Sequence, residues 1–207
     1  MMPKFILASN SPRRRELLAM LGMDFEVIVS DCDENVLGNP TPDELVRELA
    51  LRKASAVADT LASDSDFIVI GADTVVSHGG RILGKPHDRE DARETFLSLS
   101  DSENSVFTGI ALVGRIGGRV RAVTDSTETR VVFGRISERE AQFYADTGEP
   151  LDKAGSYAVQ GLGGFFVKEL HGDYYNVVGL PIAKLRELIA CEFGIEACDY
   201  IGVKSGR

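Results

Sequence analysis

Long apolar runs are missing from this 207-residue chain. No stretch approaches the roughly 18 apolar residues of a membrane span, and the opening MMPKFILASNS has too short an apolar stretch for a secretory leader. Cysteine is scarce. Cys32, Cys191 and Cys198 are odd in number and lack metal-ligand spacing, which argues for reduced thiols in a cytoplasmic protein rather than a disulfide framework. His78, His87 and His171 stand far apart, so neither set makes a zinc site. Basic residues are in deficit: 23 Lys and Arg against 32 Asp and Glu leave a net charge of −9, which argues against a nucleic-acid or anionic-membrane partner. An anionic ligand would need a locally basic pocket. The phosphate-binding signature G-x-x-x-x-G-K-[ST] is absent, which excludes a P-loop kinase or GTPase. GLGG at 161–164 is not a dinucleotide fingerprint either, since G-x-G-x-x-G is absent and the pattern after it predicts a strand.

What remains is an ordinary globular composition, 43% hydrophobic and 27% charged, long enough for one compact domain over 1–207. KFILAS (4–9) and FEVIVS (25–30) read as strands. Between them Ser11 offers an N-cap, Pro12 a first helical residue and Gly22 a stop. Residues 39–62 carry the longest helical pattern, opened by a capping box of Thr41 and Glu44. DFIVIGADTVV (66–76) is a continuous apolar run suited to a strand covered on both faces. A helix follows over 87–100, then strands from Val106 to Phe133 hinged at Gly117-Gly118. Ser137 and Glu140 form a second capping box, 163–179 reads as a hairpin turned near Gly172-Asp173, and Pro181 opens a last helix. Helices and strands alternate at both ends around a strand-rich middle, which predicts an α/β fold with a mixed sheet.

One feature conflicts with local physics. ASNSPRRREL (8–17) puts Arg13, Arg14 and Arg15 in the first turn of a helix, where a cation is disfavoured by roughly 0.3–1 kcal/mol. Phosphate resolves the conflict, because free N–H groups at a helix start bind anions and Arg adds planar, bidentate donors. For Arg15, a side chain that turns into water is an equal alternative. Asp73 follows the run FIVIG and so stands near a strand end, where α/β sheets handle ligands. Taken alone it could activate water, hold a metal or cap a turn, the last being the commonest role of an Asp in such a place. Lys85 in LGKP and Lys153 in PLDKAG adjoin turn residues, where an isolated lysine is usually just solvated.

Three stretches together, LASNSPRRRELL, GADTVV with GKP, and EPLDKAGSYAVQGLGGFFVKELHGDYYNVVGLP, resemble the Maf family of nucleoside triphosphate pyrophosphatases. The similarity runs from about Phe5 to Leu188. It implies an elongated, twisted mixed sheet flanked by helices, like that of inosine triphosphate pyrophosphatases, with two lobes, a cleft and a divalent cation, magnesium or manganese. The implied reaction splits a nucleoside triphosphate between its α and β phosphates. Asp73 falls on the family's proton acceptor; Ser9, Arg13 and Arg14 match its phosphate-handling start; Glu34, Lys53 and Lys85 match further polar positions, with Glu34 and Asp73 as metal candidates. Arg13, Thr74 and Gln160 resemble the branch that acts on dTTP and UTP. A Gln amide carries a donor and an acceptor, so Gln160 suits O4 and N3–H of uracil or thymine. The family's historical name leaves open a nucleotide-sensing regulator of septum formation, and modified nucleotides are a further alternative substrate. Homodimers are compatible with the resemblance.

Overall fold

The computed structural model describes residues 2–62 and 65–202. Its strands and helices are, in chain order, β1 (Lys4–Leu7), α1 (Pro12–Met20), β2 (Phe25–Val27), α2 (Pro42–Ala58), β3 (Phe67–His78), β4 (Arg81–Leu83) and α3 (Arg89–Ser98). There follow β5 (Glu103–Ile116), β6 (Arg119–Phe133), α4 (Glu138–Asp146), β7 (Val167–His171), α5 (Tyr174–Val178), α6 (Ile182–Phe193) and α7 (Ala197–Tyr200). Short 3₁₀ turns occupy Glu149–Asp152, Ala154–Ser156 and Leu162–Phe166. The strands form one seven-stranded sheet in the order β2-β1-β3-β5-β6-β7, with β4 paired to β3. β1 runs parallel to β2 and β3, whereas β4 and β7 pair antiparallel, so the sheet is mixed as the pattern predicts.

The chain divides into two compact units, Met1–Asp73 with Thr108–Ser126 and Gly179–Arg207, and Thr74–Phe107 with Thr127–Val178. In the first, Ile6, Ala8, Phe67, Val69, Ala111 and Val113 pack against Ala50, Ala54 and Val57 of α2. Gly71 and Gly109 let that helix lie close. A Cβ at Gly71 would meet the Ala50 carbonyl oxygen at 2.2 Å, and one at Gly109 would meet the Val46 oxygen at 2.1 Å. Both helix-opening motifs form as expected: Thr41 with Glu44, and Ser137 with Glu140, each exchange side-chain and backbone hydrogen bonds.

The second unit has an aromatic core. Phe96 meets Tyr144 at 4.5 Å between centroids and Phe133 edge-on at 5.9 Å, and Phe133 meets Tyr157 edge-on at 4.9 Å. The buried Tyr157 hydroxyl donates to Asn104 Oδ1 at 3.0 Å, so the ring's polar end is satisfied. Gly117 and Gly118, at φ 57° and 77°, make the expected two-residue turn between β5 and β6.

One stretch differs from the sequence reading. Residues 163–179 are not a hairpin: the chain leaves GLGG through the 3₁₀ turn Leu162–Phe166, forms β7, and then coils as α5. Asp173 causes the coil. Its Oδ1 accepts from the Tyr175 N–H at 2.8 Å while its own N–H donates to Thr129 Oγ1 at 3.0 Å, so the returning chain is capped as a helix.

Candidate active site

The site begins where β1 ends beside the middle of the parallel strand β3. Leu7 pairs with Ile70, and Ser9 lies just beyond β1; Asp73 does not stand near a strand end as its apolar run suggests, because β3 continues past it to His78 and pairs there with β4. Ser11 caps α1, its Oγ accepting from the Arg14 N–H, and Pro12 takes the first turn, where no N–H is needed. That cap orients the arginines differently. Arg14 is buried, Nε donating to the Gly179 carbonyl oxygen at 2.8 Å and Nη1 to Ser9 Oγ at 3.2 Å; Arg13 is partly buried and Arg15 exposed. Ser9 Oγ also accepts from the Ser11 N–H at 3.2 Å. Burial pushes the Arg14 guanidinium below its ordinary pKa; Asp73 and Glu34 oppose that and Arg13 adds to it, so all four share one electrostatic field.

Gly71 decides where Lys53 falls. Because α2 can approach the backbone at Gly71, Lys53 Nζ reaches Asp73 Oδ1 at 2.6 Å and Glu34 Oε1 at 2.9 Å. Burial disfavours the Lys53 charge, but the pull of and hydrogen bonds to Asp73 and Glu34 outweigh it, and its pKa is raised. The structure thus brings Ser9 to Arg14, and Lys53 to both carboxylates.

Arg52 was not singled out in the sequence. Its Nη1 donates to the carbonyl oxygens of Asp33 at 3.1 Å and Asn35 at 2.8 Å, bracing the backbone on both sides of Glu34, while Nε donates to Glu48 at 2.7 Å. The Glu48 and Arg52 spacing on α2 was the only visible signal, and it reads as an ordinary surface pair.

Among the described residues no group of three His, Cys, Asp or Glu side chains could hold a metal ion. Glu34 and Asp73 nonetheless converge on a single ammonium, so two hard oxygen donors already face one positive centre. That donor set fits a magnesium- or manganese-type ion, which commonly takes one or two carboxylates and draws its other ligands from water and phosphate.

Three further candidates belong to the second unit. Thr74 is partly buried, while Lys85 and Gln160 are exposed. The Gly155 N–H donates to the Gly84 carbonyl oxygen at 3.0 Å, joining the GKP stretch to the DKAGSY stretch. The three cysteines form no disulfide. Among the described residues no helix is long and apolar enough to cross a membrane.

The Maf-like protein family model matches residues 4–192. A dTTP/UTP pyrophosphatase of Bacillus cytotoxicus is 50% identical over 188 residues, covering 90% of this chain and 95% of the relative. Proteins of the same name from Bacillus thuringiensis subsp. konkukian and Bacillus cereus are 48% and 47% identical over the same shares. With the basic helix start, the GADT segment of β3 and the DKAGSYAVQG loop all inside the matched span, the chain belongs to the Maf family.

Proposed function

We propose that this protein is a nucleoside triphosphate pyrophosphatase that hydrolyses dTTP and UTP to the monophosphate and pyrophosphate. The names of its relatives supply the activity. The single observation that carries the chemistry is Lys53 held between Asp73 and Glu34, with the buried Arg14 in the same field.

A triphosphate brings about four negative charges, and an attacking water meets that charge first. Arg13, Arg14, Lys53 and Lys85 supply positive charge for it, with Ser9 fixing the Arg14 guanidinium. Asp73 is the proton acceptor for the water, and Lys53, hydrogen-bonded to it, keeps its carboxylate oriented. Glu34 and Asp73 are the residues that would hold a divalent cation. Such an ion, when bound, neutralises phosphate charge and makes water more acidic. Gln160 reads the pyrimidine edge and Thr74 lies at the second position associated with base choice; uracil and thymine, which differ by a methyl, are both accepted.

Pyrophosphate release is the test, measured with dTTP, UTP, CTP and a 5-methylated cytidine triphosphate, each with magnesium or manganese. Preferred turnover of dTTP and UTP, lost in Asp73→Asn with the fold intact, is expected. Unchanged turnover in that variant would move the proton acceptor elsewhere. Nucleotide binding without product from any substrate would replace the enzyme with a sensor.

A further inference from the structure

Gly161, Gly163 and Gly164 crowd the chain beside Gln160, although no dinucleotide fingerprint is present. The structure gives them another use. A Cβ at Gly161 would lie 2.4 Å from either Glu149 carboxylate oxygen, one at Gly163 2.7 Å from the Tyr144 hydroxyl, and one at Gly164 2.3 Å from the Val159 carbonyl oxygen. Bare backbone therefore folds directly onto a carboxylate. Glu149 Oε2 accepts from the Leu162 N–H at 3.0 Å, and Oε1 accepts from the Gly163 N–H at 3.2 Å and the Tyr144 hydroxyl at 2.8 Å. The same hydroxyl oxygen accepts from the Ala158 N–H at 3.1 Å. Ala158 and Leu162 flank Gln160, so both ends of this short segment are tied into one network while Gln160 stays exposed at its middle.

Glu149 is the hub of that network. Burial opposes its charge, but the N–H groups of Leu162 and Gly163, the Tyr144 hydroxyl and the nearby Lys153 charge outweigh it and hold the carboxyl below its ordinary pKa. We propose that Glu149, together with Tyr144, positions Gln160 and sets how sharply the enzyme tells uracil from cytosine. This rests on the pyrophosphatase reading above. A Gln amide turned end for end presents the donor and acceptor pattern that cytosine needs, so discrimination depends on how tightly the amide is presented. A site loosened by about 1 Å loses that presentation. No atom of Glu149 need touch the substrate.

Glu149→Gln tests this, because its amide turns a donor toward N–H groups that also donate. Tyr144→Phe, which keeps the carboxylate, is the second variant should the first not fold. The measurement is kcat and KM for UTP and CTP, with thermal unfolding of each variant. The ratio of kcat/KM for UTP over CTP falls about tenfold, chiefly through KM for UTP, while kcat changes less than about threefold. In a Gln160→Ala background the same substitutions leave the ratio where Gln160→Ala put it, since the positioned group is gone. Equal losses on both nucleotides with the ratio unchanged, or losses that simply add in the double variants, would overturn the positioning role alone. No turnover by the unsubstituted protein would overturn the pyrophosphatase reading and the specificity role with it.

Discussion

Lys53 donates to Asp73 at 2.6 Å, and only 12% and 15% of the two side chains remain exposed. Glu34 completes the contact from the solvent side, its own side chain 62% exposed. Asp73 and Glu34 therefore depend on one ammonium. Lys53→Met leaves two carboxylates facing each other without it and is expected to cost about 1–3 kcal/mol. In a protein of this size that lowers Tm by about 2–4 °C per kcal/mol. A variant as stable as the parent in urea unfolding would mean that the pair contributes nothing to the fold.

Arg14 meets two acceptors in two directions, the Gly179 carbonyl and Ser9 Oγ. A lysine carries the charge but not the planar fork. Arg14→Lys should lose about 2 kcal/mol of stability and most pyrophosphate release, whereas the exposed Arg15→Ala should stay within about 0.5 kcal/mol of the parent. Equal behaviour of the two variants would show that burial of Arg14 is incidental.

Arg52 acts through the backbone around Glu34. Arg52→Met removes that brace and is expected to weaken the apparent magnesium affinity about tenfold, as loss of a support behind a metal ligand commonly does. Saturating magnesium should restore turnover. A magnesium titration curve that does not move would separate Arg52 from the site.

Gly71→Ala changes no charged group, yet its Cβ would sit 2.2 Å from the Ala50 oxygen and 2.9 Å from Ala54. The neighbour at 2.2 Å is backbone and cannot step aside, so α2 must move. The cost should lie at the upper end of overpacking, about 3 kcal/mol, and turnover should fall because Lys53 shifts with the helix. Unaltered kinetics with lower stability would break the link between helix packing and catalysis.

Glu149 supplies the pH dependence. Its folded pKa lies below the ordinary 4.5, so its contribution to stability is present above pH 4.5 and is lost as pH falls through the folded value. The urea midpoint of the parent should therefore drop more steeply below pH 4.5 than that of Glu149→Gln, which has no proton to take up there. Parallel acid profiles would show that the network around Glu149 does not hold the loop in solution.

Local chemistry was legible where the chain signals itself. Thr41 with Glu44, Ser137 with Glu140, and Gly117-Gly118 each fold as their short-range pattern demands. The 163–179 stretch was not legible, because Asp173 turns it into a helix with help from Thr129, 44 residues away. The site divides the same way. Residue chemistry alone singles out Arg13 and Arg14, and Asp73 with a turn role ranked first, whereas Ser9, Glu34 and Lys53 emerge only through resemblance. Arg52 and Glu149 escaped because each works on backbone groups of residues that nothing in the sequence links to them.

The Gly202 N–H donates to the Gly22 carbonyl oxygen, and the Tyr200 ring rests on Phe5. Trimming the chain before Tyr200, as one would to shed an apparently dispensable tail, strips cover from the first strand. In a deletion library such clones would be expected to lose stability while every reactive group was still encoded, and a screen scored on turnover alone would read that loss as an active centre at the wrong end of the gene.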